Sequence, residues 1–173
     1  QNNQFKVVHN VNVSPHSLKV MKDDNIELFK CKVGHSNIKK MMREIDADFG
    51  GEHSAHFYYR DNFYADSAIL TLLIFMKMLS ENKNKISSII DNYNFPPSSG
   101  EVNFVVDDIN SSINKIESTF EGEFDKTDGL SCLHSNFWFN VRGSNTETKL
   151  RINVEADSQE ILDQVLEKIS SSI

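Results

Sequence analysis

The chain has 173 residues, 39% of them hydrophobic and 25% charged, with three prolines and a net charge of −7. That length accommodates one medium or two small hydrophobic cores. It has no run of lysine or arginine, so neither free nucleic acid nor an anionic membrane is an expected partner, and any bound phosphate must be met by a local pocket.

The N-terminal QNNQFK is polar and does not read as a signal peptide. Phe5 to Val11 is an apolar-rich strand, and Ser14-Pro15 marks a helix start, with Ser14 as N-cap and Pro15 in the first turn. Asp23-Asp24-Asn25 ends that helix, and Ile26 to Val33 is again extended. After Gly34-His35-Ser36, the spacing of Ile38, Met41, Met42 and Ile45 predicts a second amphipathic helix. Phe49-Gly50-Gly51-Glu52 breaks the periodicity, Phe57 to Tyr59 reads as a short strand, and Arg60-Asp61-Asn62 as a turn. Ala65 to Leu79 is the most apolar stretch, but polar residues interrupt it and it falls short of the ~20 apolar residues of a membrane span. It is expected to be a buried helix capped by Asp66. Asn92 to Gly100, with Pro96-Pro97-Ser98-Ser99-Gly100, has linker composition and places a domain boundary there, dividing the chain into 1–95 and 96–173.

Beyond the boundary, Val102 to Val106 reads as a strand, and Ile109, Ile113 and Ile116 as one helix face. Leu130 to Leu133 and Phe137 to Val141 are short strands. In Leu150 to Val154, Leu150, Ile152 and Val154 point inward while Arg151 and Asn153 point outward. A capping-box-like Asp157 to Glu160 opens the last helix. The expected fold is a partial α/β domain, strand-helix-strand-helix on a mixed sheet, followed by an α+β domain with a mostly antiparallel sheet and helices on one side. Cys31 and Cys132 lack CxxC spacing and read as two buried thiols in a reducing cytosol rather than as a disulfide.

Two constellations could carry chemistry. In Gly50-Gly51-Glu52-His53-Ser54-Ala55-His56, two glycines let the backbone turn, and a carboxyl and a hydroxyl on an exposed turn could meet a polyol. The same residues also suit a plain surface turn. Metal binding by these histidines with Glu52 and His35 is not required by the spacing, and no metal is expected. In Arg142-Gly143-Ser144-Asn145-Thr146, an arginine fork, two hydroxyls and an amide on a glycine-loosened loop form a phosphate cradle. A hairpin loop with a surface arginine fits that composition as well. No aspartate-rich magnesium loop and no phosphoryl-accepting serine loop occurs in the sequence, so no catalytic residue is assigned.

Gly51-Glu-His-Ser-Ala-His56 resembles the sugar-recognition loop G-E-M-S-G-H of the α-D-phosphohexomutases, the phosphomannomutase/phosphoglucomutase family. Asp128-Gly129-Leu130 and Trp138-Phe-Asn-Val-Arg-Gly-Ser-Asn-Thr-Glu147 resemble that family's DGL and WFNLRPSNTEP segments. The resemblance covers nearly the whole chain and implies late domain three plus domain four of a four-domain enzyme. It implies that His35, Glu52, Ser54 and His56 face the sugar, and that Arg142, Ser144, Asn145 and Thr146 hold a phosphate, with Arg151 supporting their loop. A phosphoserine and magnesium would belong to the N-terminal domains, leaving no cofactor in this chain. The implied partners are a hexose phosphate and those N-terminal domains, in the same enzyme or as a split subunit. The chain alone is expected to be inactive, and to self-associate through an unpaired strand at Val7 to Val11 or an uncovered apolar face.

Against the family pattern, Asn12 stands where a basic residue is usual, and Gly143 and Thr148 replace prolines. Ala55 replaces a glycine, at a cost of about 1 kcal/mol or more if that position needs positive φ. A stand-alone phosphosugar-binding protein and a remnant without ligand are the other readings of the same residues.

Overall fold

In the computed structural model, which describes residues 4–82, 84–144 and 147–173, strand β1 (Lys6–Asn10) is the middle of a parallel trio. It pairs with β2 (Glu27–Cys31) on one side and β3 (Phe49–Gly51) on the other. Antiparallel β4 (Phe57–Tyr59) and β5 (Ala65–Asp66) complete a mixed sheet in the order β2-β1-β3-β4-β5. The strand at Val7 to Val11 is therefore not an unpaired edge. Helix α1 (Pro15–Asp23) returns the chain to one flank of β1 and α2 (His35–Ile45) carries it across to the other, so both edges of β1 are taken.

Local sequence explains the elements. Ser14 accepts from the Ser17 N–H with Pro15 at the helix start, and Asn25 adopts φ 60° beyond the last turn. Ile38 and Met42 of α2 are buried with Val8, Cys31, Ala47 and Tyr58, and this is the core of the unit Gln1–Phe95. Gly50 and Gly51 are extended strand residues and make no turn. A Cβ on Gly50 would lie 2.6 Å from Met42 Sδ and 2.9 Å from Ile38 Cγ2, so glycine lets α2 rest on the backbone of β3.

Helix α3 (Ala68–Glu81) departs from the expected buried helix: none of its residues is buried, and Ile69, Leu72, Leu73, Phe75 and Met76 are exposed. The core lies between the sheet and α2, and α3 is held by a hydrogen bond between Tyr59 Oη and Thr71 Oγ1 at 2.7 Å. Its cap is Ser67, which accepts from the Leu70 N–H. Asp66 belongs instead to β5 and pairs with Lys39 at 3.3 Å. A short α4 (Ile86–Asp91), not expected from periodicity, follows. Among the described residues no helix is long and apolar enough to cross a membrane.

The unit Pro96–Ile173 holds an antiparallel sheet. Its elements are β6 (Ser98–Val105), α5 (Ile109–Thr119), β7 (Glu123–Asp125), β8 (Leu130–Leu133), β9 (Phe137–Gly143), β10 (Lys149–Ala156) and α6 (Gln159–Ser172). The strand order is β6-β10-β9-β8-β7. Ser98-Ser99-Gly100, read above as linker, are the first residues of β6, and the Pro97 carbonyl accepts from Ala156 N–H at 3.1 Å. Ser158, not Asp157, caps α6 by accepting from the Ile161 N–H.

Alternation fixes the register of this sheet. Leu150, Ile152 and Val154 are fully buried with Phe139, Val141, Ile116 and the α6 residues Leu162, Val165 and Ile169. Each such aliphatic side chain contributes about 1.5–3 kcal/mol on burial. A one-residue slip of β10 would bring Arg151 and Asn153 into this core, so the slip is excluded. The opposite face carries Arg151 and Asn153 of β10 beside Arg142 and Asn140 of β9, directly opposed. Cys31 and Cys132 are both buried thiols outside any disulfide, one in each unit, and burial pushes the Cys132 thiol up to about 11.

Candidate functional site

The first group of predicted residues lies at the carboxyl ends of the parallel strands. In an open sheet of order 2-1-3, the crevice outside the ends of β1 and β3 is where the chain direction reverses and ligands bind. Asn10 ends β1, and Glu52 follows β3.

Glu52 is 8% exposed, so it is not a side chain displayed on a turn. Its Oε2 accepts from Asn10 Nδ2 at 3.3 Å and from the Gly34 N–H at 3.1 Å, and its Oε1 accepts from Tyr58 Oη at 2.5 Å. Gly34 is the N-cap of α2 and has no side-chain cap of its own. The Glu52 carboxyl does from across the sheet what the glutamate of a capping box does locally. It thereby fixes the helix start that carries His35. Tyr58 is fully buried, and burial, reinforced by the bond to Glu52, holds its phenol well above the usual tyrosine range.

The exposed part of the motif is the hairpin tip. Glu52 N–H donates to the His56 carbonyl and Ala55 N–H to the Glu52 carbonyl, both at 3.0 Å, a three-residue hairpin loop whose last member turns left-handed. That member is Ala55, with φ 62°, so the position does require the conformation for which glycine is suited. Ser54 Oγ and His56 Nδ1 are 2.9 Å apart and exposed, and His35 is exposed at the first position of α2. The structure thus joins Glu52 to the α2 start and joins Ser54 to His56. Among the described residues no group of three or more histidine, cysteine, aspartate or glutamate side chains is placed to hold a metal.

The second group lies at the β9–β10 hairpin. Arg142 and Arg151 face each other in register, and Ser144 N–H closes the hairpin on the Lys149 carbonyl at 2.8 Å. Asn145 and Thr146 lie outside the described residues. The Arg142 side chain is only 12% exposed. Glu101 of β6 reaches both guanidinium groups, with Oε2 3.5 Å from Arg142 Nη2 and Oε1 3.4 Å from Arg151 Nη1. The Nε atoms of both arginines are buried without a hydrogen-bond partner among the described residues.

Sequence reasoning missed Asn10, Tyr58 and Glu101. Asn10 and Glu101 act through partners more than forty residues away and Tyr58 through Glu52 across the β3–β4 hairpin, and only the alternation of β4 and β6 hints at which way Tyr58 and Glu101 point.

Residues 1–94 match the model of the phosphoglucomutase/phosphomannomutase alpha/beta/alpha domain III, and residues 101–172 match that of the C-terminal domain. The chain belongs to the phosphoglucomutase/phosphomannomutase family. It is 37% identical to a phosphomannomutase of Methanocaldococcus jannaschii over 97% of this chain and 38% of that protein. It is 34% identical to a phosphomannomutase of Escherichia coli K12 over 87% of this chain and 34% of that protein. In fold it is similar to a phosphoglucomutase/phosphomannomutase family protein from Burkholderia thailandensis, with TM-score 0.83, 22% identity, and coverage of 98% of this chain and 37% of that one. The chain therefore spans little more than a third of the length of the relatives it matches.

Proposed function

We propose that this chain is the substrate-recognition part of a phosphohexomutase that interconverts hexose 1-phosphate and hexose 6-phosphate, and that it is inactive by itself. In this reading residues 1–95 are the later part of domain three and residues 96–173 are domain four. The hairpin tip with Ser54 and His56, the α2 start with His35, and Glu52 meet sugar hydroxyls. Arg142, Ser144, Asn145, Thr146 and Arg151 hold the phosphate that is not being transferred.

The observation that carries the reading is the pair Arg142 and Arg151, opposed at the base of one hairpin in a chain of net charge −7. A concentrated pair of guanidinium cations suits a phosphate monoester. Glu52 supports it: with both oxygens already accepting, it has one acceptor position left of the roughly four a carboxylate offers, enough for a single hydroxyl. A cytosolic location fits two cysteines outside any disulfide and a phosphorylated metabolite.

Phosphoryl transfer needs a clamp on the moving charge, and the sequence carries neither a magnesium loop nor a phosphoserine loop. A coupled assay with glucose 1-phosphate or mannose 1-phosphate should give no turnover by the chain alone. Turnover that disappears in Glu52→Ala would refute the division of labour proposed here.

A further inference from the structure

We infer that Glu101 is a positioning residue for the phosphate site: its one carboxyl holds the guanidinium groups of Arg142 and Arg151 together at the base of the β9–β10 hairpin. The inference rests on the phosphate-binding reading of that loop.

The strand registers place the three side chains. Counting inward from the loop, Gly143 pairs with Leu150 and points to the core side. Next come Arg142 and Arg151, the first opposed pair on the face away from the core, and then Asn140 and Asn153 two residues further in. On the other side of β10, Asn103 lies level with Arg151, and Glu101 lies level with Asn153. Glu101 is thus one rung, about 7 Å of strand, farther from the loop than the arginines. Its carboxyl meets both guanidinium groups from the side away from the loop.

Charge gives that position a purpose. Two like charges directly opposed on one sheet face repel and tend to splay apart. One carboxyl shared between Arg142 Nη2 and Arg151 Nη1 draws both to a common point and leaves the pair with net positive charge for a dianion. Among the described residues each arginine gives Glu101 a single long contact rather than a bidentate one, so neither guanidinium is locked into a fork with it.

Positioning and competition predict opposite signs. Inorganic phosphate and mannose 1-phosphate should be titrated calorimetrically into the full 173-residue chain and into Glu101→Gln, Glu101→Asp and Arg142→Ala variants, with thermal melts as the folding control. Arg142→Ala should weaken binding about thirtyfold or more. Glu101→Gln, although it removes a negative charge, should weaken it about tenfold, and Glu101→Asp should recover part of that loss. If Glu101→Gln binds phosphate as tightly as the parent or tighter while Arg142→Ala does not, Glu101 does not position the pair, and the phosphate site itself stands. If the parent binds no phosphate, or Arg142→Ala leaves its binding unchanged, the site assignment falls and this inference with it.

Discussion

Tyr58 donates its hydroxyl to Glu52 Oε1 at 2.5 Å, and Glu52 in turn accepts from the Gly34 N–H at the start of α2. One buried carboxyl therefore links β1, the β3–β4 hairpin and the helix that carries His35. Tyr58→Phe removes a donor from a buried acceptor with little change of volume. It should destabilise the fold by about 1–3 kcal/mol. The structural account also expects faster amide exchange at Gly34 and His35, since their anchor is loosened. A melt and an exchange profile identical to the parent would show that the Glu52 hub carries no load.

Ala55 holds φ 62° at the tip of that hairpin. Ala55→Gly should raise stability by about 1 kcal/mol, read as a higher denaturation midpoint at unchanged slope. A lower midpoint would mean that the extra freedom of the unfolded chain outweighs the relieved strain.

The legible part of this protein was local. Ser14-Pro15, the Ile38-Met42 face and the Leu150-Ile152-Val154 alternation each announce an element within a few residues, and all three form as read. The failures came where tertiary context decides. Gly50 is a packing glycine because α2 rests on it, which no turn rule reveals. The apolar run at α3 looks like core, yet the core is built by α2 and the sheet. Within the candidate sites, the motif residues could be named from resemblance. The side chains that hold them were hidden: Glu101 is 41 residues from Arg142 and 50 from Arg151, and Asn10 is 42 from Glu52.

Exposed apolar side chains on α3 set an expectation for solution behaviour. Ile69, Leu72, Leu73 and Met76 leave contiguous apolar surface facing solvent, which favours association. Light scattering should show mass rising with concentration, and Leu72→Glu with Leu73→Glu should shift the chain toward monomer. A parent chain that is monomeric at every concentration would contradict this.

His9 is buried in β1 with Nδ1 3.0 Å from the Asn10 carbonyl. Burial holds its pKa below the usual imidazole value, with Lys30 and Lys22 adding to the effect and the Asn10 carbonyl opposing it. The folded state therefore prefers neutral His9, while the unfolded chain takes up its proton near pH 6.5. Stability should be full above that pH and fall as pH is lowered from about 6.5 toward the depressed folded value. Denaturation midpoints across this range should fall for the parent and flatten in His9→Asn. An equal decline in both would assign the acid sensitivity to another group.

The most direct test of the recognition role is an amide chemical-shift titration of the chain with mannose 1-phosphate, since weak binding is still visible there. The account predicts shifts concentrated at Gly34-His35, at Glu52 to His56, and around Arg142, Ser144 and Arg151. The shifts in the last group should vanish in Arg142→Ala. Shifts confined to other surfaces, or none at millimolar ligand, would contradict the assignment of this chain as the part that binds the phosphosugar.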